Sequence, residues 1–526
     1  MKKLNLAVLF TACASLSYGQ YSIDSLEGNN TRATITNYGA FFNDPESSHA
    51  GYEFPKNSDN YLIYSNSFWF GAKDPSGNLK MCATLFGGEE YRDIYRGAIK
   101  DDGTAEAPDE VFAGDIYIVS RAEILFHAAN YAAWDYDAPD GIANWPAHGN
   151  VDLDLAANLA PFADLNGNGS YEPELGEYPE IRGDHAAYLI MNDMGGPHLG
   201  SGGDPLGIEV HFMFYQYEGD GDINNTTFVN TRVINRSSND YPEFIVGNFM
   251  DADVGYAGDD YMGCDSANNI IYIYNGDVLD EGMGGAPGYG ENPPAVGIVS
   301  LNHVMNVGGY YDNSAGPYGD PASASDYWNY LNATWKNGLP FQYGGNGHTT
   351  GSGIPSNYMF GGTTYLDGEE EWSEINAGNP AGDRRAFMAS EVISLGAGEV
   401  RCFDYAVITS QVGGHLENAE AIIPQAADVK AFYDDQPNTY CDFTLSVPEL
   451  AKSLEFDVYP NPSTGAFFIQ AEGEYTATIC SIDGRVVYQS GPLSGKSDIQ
   501  TDLAKGTYVV ILNQNGELYP TKIIIR

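Results

Sequence analysis

A mainly β protein, with a β-sandwich-like body carrying long loops and one short helix and a second, small β-sandwich at the C-terminus, follows from three observations. The 526-residue chain contains 62 Gly, 27 Pro and 38 Tyr, the makeup of short strands joined by turns. Apolar residues reach 43% and aromatics 13%, so a chain of this size can bury cores without staples. Period-two alternation recurs as well: in GIEVHFMF, Ile208, Val210, Phe212 and Phe214 share one face, the pattern of a half-buried strand.

In chain order, MKKLNLAVLFTACASLSYGQ opens with Lys2 and Lys3, continues apolar to Ala14, and places Ser17 and Gly19 before a cut at Gln20. Residues 1–19 therefore read as a cleaved secretory signal, with lipoprotein processing at Cys13 as the rival. No later stretch approaches the roughly 20 apolar residues that span a bilayer, so no transmembrane segment is expected. Residues 20–445 form a β-rich body, open to division into two subdomains near 160–200. Its strand-like segments are NTRATITNYGAFF, NYLIYSNSFWFGA, GIEVHFMFYQY, TTFVNTRVIN, FIVGNFM, NIIYIYNG and VRCFDYAVITSQ. The Gly/Pro-rich span 281–321 reads as long loop. Near 417–433, Ile422, Ala426, Val429 and Tyr433 follow helical spacing, and Pro424 fits only a first turn. No period of 20–50 residues repeats, which excludes solenoids and propellers.

SVPELAKS, residues 446–453, is a linker, and 454–526 is a separate block with eight acidic and five basic residues. Its alternating runs Tyr475-Ala477-Ile479 and Tyr508-Val510-Leu512 are parted by the hairpin dipeptides Asp483-Gly484 and Asn515-Gly516, so a small antiparallel sandwich follows from pattern alone.

Seventy-two acidic residues against 24 basic ones give a formal charge of -48, which repels nucleic acid and anionic membrane surfaces. Self-repulsion on that scale is relieved by bound divalent cations or by a solvated acidic surface. Past the signal the cysteines are Cys82, Cys264, Cys402, Cys441 and Cys480, an odd set spaced too widely for CxxC metal sites. Isolated buried thiols are expected, with a Cys402–Cys441 bridge as the alternative.

FDVYPNPSTGAFFI (456–469), SIDGRVV (481–487), GTYVVIL (506–512) and TKIIIR (521–526) resemble, in order, the motifs of the C-terminal sorting domain of type IX secretion. That resemblance implies an immunoglobulin-like β-sandwich and a Gram-negative cell in which the chain passes through the periplasm to the surface. The implied partners are the type IX machinery and a sortase that removes the domain, with surface lipopolysaccharide or glycans beyond them. The body, through words such as NTRATITNYGAFFN, FWFGAKDPSGNLK, WPAHGN and SLGAGEVRCFDYAVI, resembles a type that recurs ahead of such domains in large exported surface proteins. No activity comes with that resemblance.

Two acidic stretches carry the candidate site residues. In DLNGNGSYEPELGEYPEIRGD, Asp164, Asn166 and Asn168 fall at positions 1, 3 and 5 of a calcium loop, Gly169 supplies the sharp turn, and Ser170 offers its carbonyl. Position 12 is Leu175 rather than a bidentate Glu, and Pro173 and Pro179 block a following helix, so this is no EF-hand. Glu172, Glu177 or Asp184 would close a non-helical cage around structural calcium. The alternative is an Asx-turn loop that satisfies its own backbone. In DADVGYAGDDYMGCD, Asp251, Asp253, Asp259, Asp260 and Asp265 crowd into a few turns, as metal ligands, as a solvated loop or as catalytic carboxylates.

Three short motifs carry little weight. SGPLSGKS lacks the first Gly of a phosphate loop, Arg182-Gly183-Asp184 is a tripeptide that arises by chance, and the nine histidines form no HExxH. The expected protein is an exported, non-enzymatic surface protein of structural, adhesive or envelope role with calcium-stabilised acidic loops. The alternative is a carbohydrate-active enzyme or glycan-binding module, with Asp259 or Asp260 in a carboxylate pair.

Overall fold

The structure, a computed structural model, describes residues 22–44, 48–88, 91–100, 103–105, 113–283, 286–361, 372–436, 456–481, 486–501, 503–514 and 517–526. The signal segment, the linker, Cys441 and both hairpin dipeptides lie outside them. The chain divides into two compact units, one of Met1–Ser120, Asn144–Pro161 and Ile181–Asp442, the other of Arg121–Ala143, Phe162–Glu180 and Phe443–Arg526.

The first unit is built on antiparallel sheets, so the protein is mainly β as expected. A nine-stranded sheet runs in the order Tyr117–Ser120, His185–Asn192, Ile208–Gln216, Thr226–Asn235, Val400–Ser410, Ala295–Ser300, Ile270–Asn275 and Asp260–Asp265, with Tyr95–Arg96 beside His185–Asn192. A six-stranded sheet orders Met305–Asp312, Arg384–Ser390, Tyr241–Ala252, Ser65–Lys73 and Leu79–Ala83, with Ile393–Leu395 on Tyr241–Ala252. Aromatic side chains knit the two: Phe68 lies 5.1 Å from Phe212 and 5.5 Å from Tyr405, and Phe41 lies 5.1 Å from Phe212. Edge-to-face pairs of this kind add to what burial alone contributes.

Both sheets are also covered on their second faces, and here the expectation of half-buried strands fails. Every residue of Ile208–Gln216 is buried, because Glu209 and His211 are paired inside the protein instead of facing water. Glu209 accepts from His211 Nε2 at 2.9 Å, Arg236 Nη2 at 2.8 Å and the Ile99 N–H at 2.7 Å, while Tyr188 meets His211 Nδ1 at 2.6 Å under the ring of Trp145. On the six-stranded sheet, Trp69, Phe249, Phe387 and Tyr311 stack in series and are capped by Tyr327 and Tyr330 of the helix Ala324–Leu331. That helix fits because Gly71 and Gly247 lack side chains: a Cβ on Gly247 would stand 2.5 Å from Leu331.

The helix read from periodicity is present as His415–Asp434, and it packs on strands Ile270–Asn275, Ala295–Ser300 and Val400–Ser410. Pro424 is its tenth residue and not in the first turn. Among the described residues four further α-helices, Arg121–Asn130, Asp140–Ala143, Ala324–Leu331 and Glu374–Ala377, were not expected. The Gly/Pro-rich span is not one long loop either: Ala295–Ser300 and Met305–Asp312 are strands within it. Their glycines are packing positions, since a Cβ on Gly297 would meet the Ile271 carbonyl at 2.8 Å and one on Gly309 the Phe341 ring at 3.0 Å. Cys82 and Cys264 are buried free thiols, but Cys402 is disulfide-bonded, so the expectation of isolated thiols fails there.

In the second unit, strands Asp457–Tyr459, Ala466–Ser481, Val486–Gln489, Leu493–Gln500, Gly506–Gln514 and Glu517–Ile525 form an antiparallel sheet system. The alternation Tyr475, Ala477, Ile479 and Val510, Leu512 points inward, joining Phe467, Ile469 and Ile523 in a core of its own.

Candidate metal centre

The loop 164–177 is closed at its neck by a two-stranded ladder, Phe162 opposite Pro179 and Ala163 opposite Tyr178. Asp164 turns back into the loop and accepts the N–H groups of Gly167 at 2.7 Å, Asn168 at 3.2 Å and Gly169 at 2.7 Å. Burial alone would raise its carboxyl, but the backbone donors of Gly169, Gly167 and Asn168 more than offset this and hold it below the usual range. The Asn166 and Asn168 amides both reach Glu172 Oε2, at 3.0 and 2.6 Å, and the Ser170 N–H donates to Asn168 Oδ1 at 2.7 Å. Glu177, fully buried, accepts the Leu165 and Glu172 N–H groups at 3.1 and 2.8 Å. Its carbonyl meets Nε2 of His127 on the helix Arg121–Asn130, at 3.1 Å.

Asp164, Asn166, Asn168, Ser170, Glu172 and Glu177 are thus gathered in one loop. Asp184 is not with them. It belongs to the first unit, where its carboxylate accepts the Glu218 N–H at 3.0 Å. The neighbouring Arg182 is buried, paired with Asp404 at 3.0 Å between the rings of Tyr215 and Tyr433, so the arginine of the Arg182-Gly183-Asp184 tripeptide belongs to the core.

The second stretch separates into three places. Asp251, the next-to-last residue of strand Tyr241–Ala252, and Asp253 just beyond it meet Asp383, each offering a carboxylate oxygen within 4.8 Å of the others. Strand register explains the meeting: Asp251 pairs with Arg385 and Ala252 with Arg384, so the next step along the ladder sets Asp253 beside Asp383. Arg385 reaches toward Asp251 and Asp383 at 3.7 Å each and hydrogen-bonds Asp320. Burial first, then Asp253, pushes the Asp251 carboxyl well above its ordinary range, and burial followed by Asp383 pushes Asp253 up to about 7. Asp260, fully buried, accepts the Val254 N–H at 3.2 Å and is raised by burial and then by Asp253. Asp259 is pushed up to about 7 by burial and then by Asp280, Asp277 and Glu281. Asp265 stands apart, accepting Asn268 N–H groups in the turn between Asp260–Asp265 and Ile270–Asn275.

Sequence reasoning missed Asp383 and Arg385, in AGDRR, and Asp320, in YGDPA, because both segments lie far along the chain and have no local ligand spacing. The pairing of the two strands brings in Asp383 and Arg385, and Arg385 in turn holds Asp320.

Residues 457–526 match the family described as the secretion system C-terminal sorting domain. The chain is therefore an exported protein that carries its own address. It is a type IX secretion cargo, destined for the cell surface or the surrounding medium. No curated protein matches the chain. A solved structure titled polysaccharide lyase aligns at 8% identity over 66% of this chain and 37% of its own, with a TM-score of 0.19, a likeness too slight to carry fold or activity across. Among the described residues no helix is long and apolar enough to cross a membrane.

Proposed function

We propose that the body is a structural, adhesive or envelope module of the cell surface whose acidic loops are ordered by calcium, and that a sortase joins it to surface lipopolysaccharide once the sorting domain has been read. The observation that carries the calcium reading is the Asp164–Glu177 loop. Two carboxylates, Asp164 and Glu177, are held in place by backbone N–H groups, and two amides and a third carboxylate, Glu172, close the same turn, which is followed by the short 3-10 turn Pro173–Leu175 and not by an α-helix. Calcium prefers such oxygen-rich, irregular cages. The rival is that these hydrogen bonds satisfy the loop by themselves.

A thermal melt series separates the two. A cation that binds only the folded chain stabilises it by RT ln(1 + [Ca]/Kd), about 1.4 kcal/mol at ten times Kd. Millimolar calcium should raise the melting temperature, magnesium should do so weakly, and chelator should lower it. Asp164→Ala should lose part of the response, because Gly167, Asn168 and Gly169 lose the acceptor that shapes the turn. Identical wild-type curves in calcium, magnesium and chelator would overturn the calcium reading.

A further inference from the structure

We propose that Asp251, Asp253 and Asp383 bind a second calcium ion, which fastens the end of strand Tyr241–Ala252 to the start of strand Arg384–Ser390. This site stands independently of the loop at 164–177. The three ligand atoms lie within 4.8 Å of one another, close enough for small side-chain adjustments to set all three at calcium bond lengths of about 2.4 Å from one ion. The Asp251 side chain is only 4% exposed, and its Oδ1 has no hydrogen-bond partner among the described residues. Asp383 Oδ1 is likewise buried without one.

Arg385 does not close this account. Its Nε stands 3.7 Å from both Asp251 and Asp383, beyond hydrogen-bond length, while its other arm is taken by Asp320. Four carboxylates therefore face one guanidinium. A buried carboxylate in that position needs either a cation or a proton. A divalent ion supplies two charges and bonds to all three acids together, whereas a shared proton serves two of them and leaves the third unmet. Backbone hydrogen bonds from Tyr64 to Asp251 at 2.8 Å and from Asp253 to Leu62 at 3.1 Å fix the chain on either side, so the acids are held ready without an ion.

Calcium stoichiometry is measured by equilibrium dialysis on the chelator-stripped full chain, at millimolar calcium, for wild type, Asp383→Asn, Asp253→Asn and Asp164→Ala. Asp383→Asn and Asp253→Asn should each bind one calcium fewer than wild type, and Asp164→Ala should keep this ion. Melting in chelator gives a second readout: Asp383→Asn should melt at or above the wild type, because it relieves repulsion, yet gain less from added calcium. A purely structural Asp383 would instead lower the melting temperature in chelator. The proposal is overturned if both variants keep the wild-type stoichiometry, if Asp383→Asn melts lower in chelator with an unchanged calcium increment, or if equimolar magnesium displaces the ion. A wild type that loses an ion with Asp383→Asn but none with Asp164→Ala would sink the loop reading and leave this one standing.

Discussion

His303 sits with its ring against the edges of Phe403, at 5.2 Å, and Tyr405, at 4.9 Å. Nδ1 lies 3.0 Å from Asn302 Oδ1, and Nε2 is buried with no hydrogen-bond partner. A neutral ring with its proton on Nδ1 fits this setting, and burial pushes the imidazole down to about 3. The unfolded chain takes up the proton near pH 6.5, the folded one only near 3, so stability is whole above 6.5 and is lost as pH falls between those values. From pH 7 to pH 5 this group should cost about 2 kcal/mol. Urea denaturation at both values, in saturating calcium, should show His303→Gln losing less than the wild type by about that amount, and equal losses would refute the assignment. None of this was legible in the sequence, where His303 is one of nine scattered histidines. The acidic residues were partly legible: Asp251 and Asp253 stand out by density, but Asp383 joins them through strand register and Asp265 only shapes a turn.

At the scale of elements, the helix His415–Asp434 shows what periodicity reads well and what it misses. Ile422, Ala426, Val429 and Tyr433 are buried as their spacing required. Pro424 was expected to mark a first turn, yet the helix begins nine residues earlier and runs through it. An interior proline costs about 3 kcal/mol by removing one ladder hydrogen bond and crowding the preceding turn. Here the apolar face against the sheet outweighs that cost, and Pro424 itself is exposed. Pro424→Ala should therefore raise stability by about 1–3 kcal/mol in urea denaturation, and a loss would mean that the packing depends on a kink at this point. Strands Ala295–Ser300 and Met305–Asp312 were hidden for the opposite reason: their glycines read as loop, while the packing of Ile271 and Phe341 against them requires residues without side chains.

Over the whole molecule, the C-terminal block was the most legible part, because the alternating run Tyr475, Ala477 and Ile479 and the pair Val510 and Leu512 are buried in one core, as their spacing required. The larger unit was legible as strands but not as a topology, since Thr226–Asn235 pairs with Val400–Ser410 across a long stretch of chain that no local pattern announces. This difference bears on transport. The block at 457–526 has its own core of Phe467, Ile479, Val510 and Ile523, and the body has another, centred on Phe68, Phe212 and Tyr405. Deleting 454–526 should then leave the body's sheets with their apolar partners and remove only the address. Cells expressing the truncated chain should hold it in the periplasm, with surface and medium fractions falling to background. The purified truncated chain should still melt cooperatively, because a two-sheet core with its own buried aromatics does not need the deleted residues. Arrival at the surface at wild-type levels would refute the address, and a non-cooperative melt would show instead that the body depends on the block for its fold.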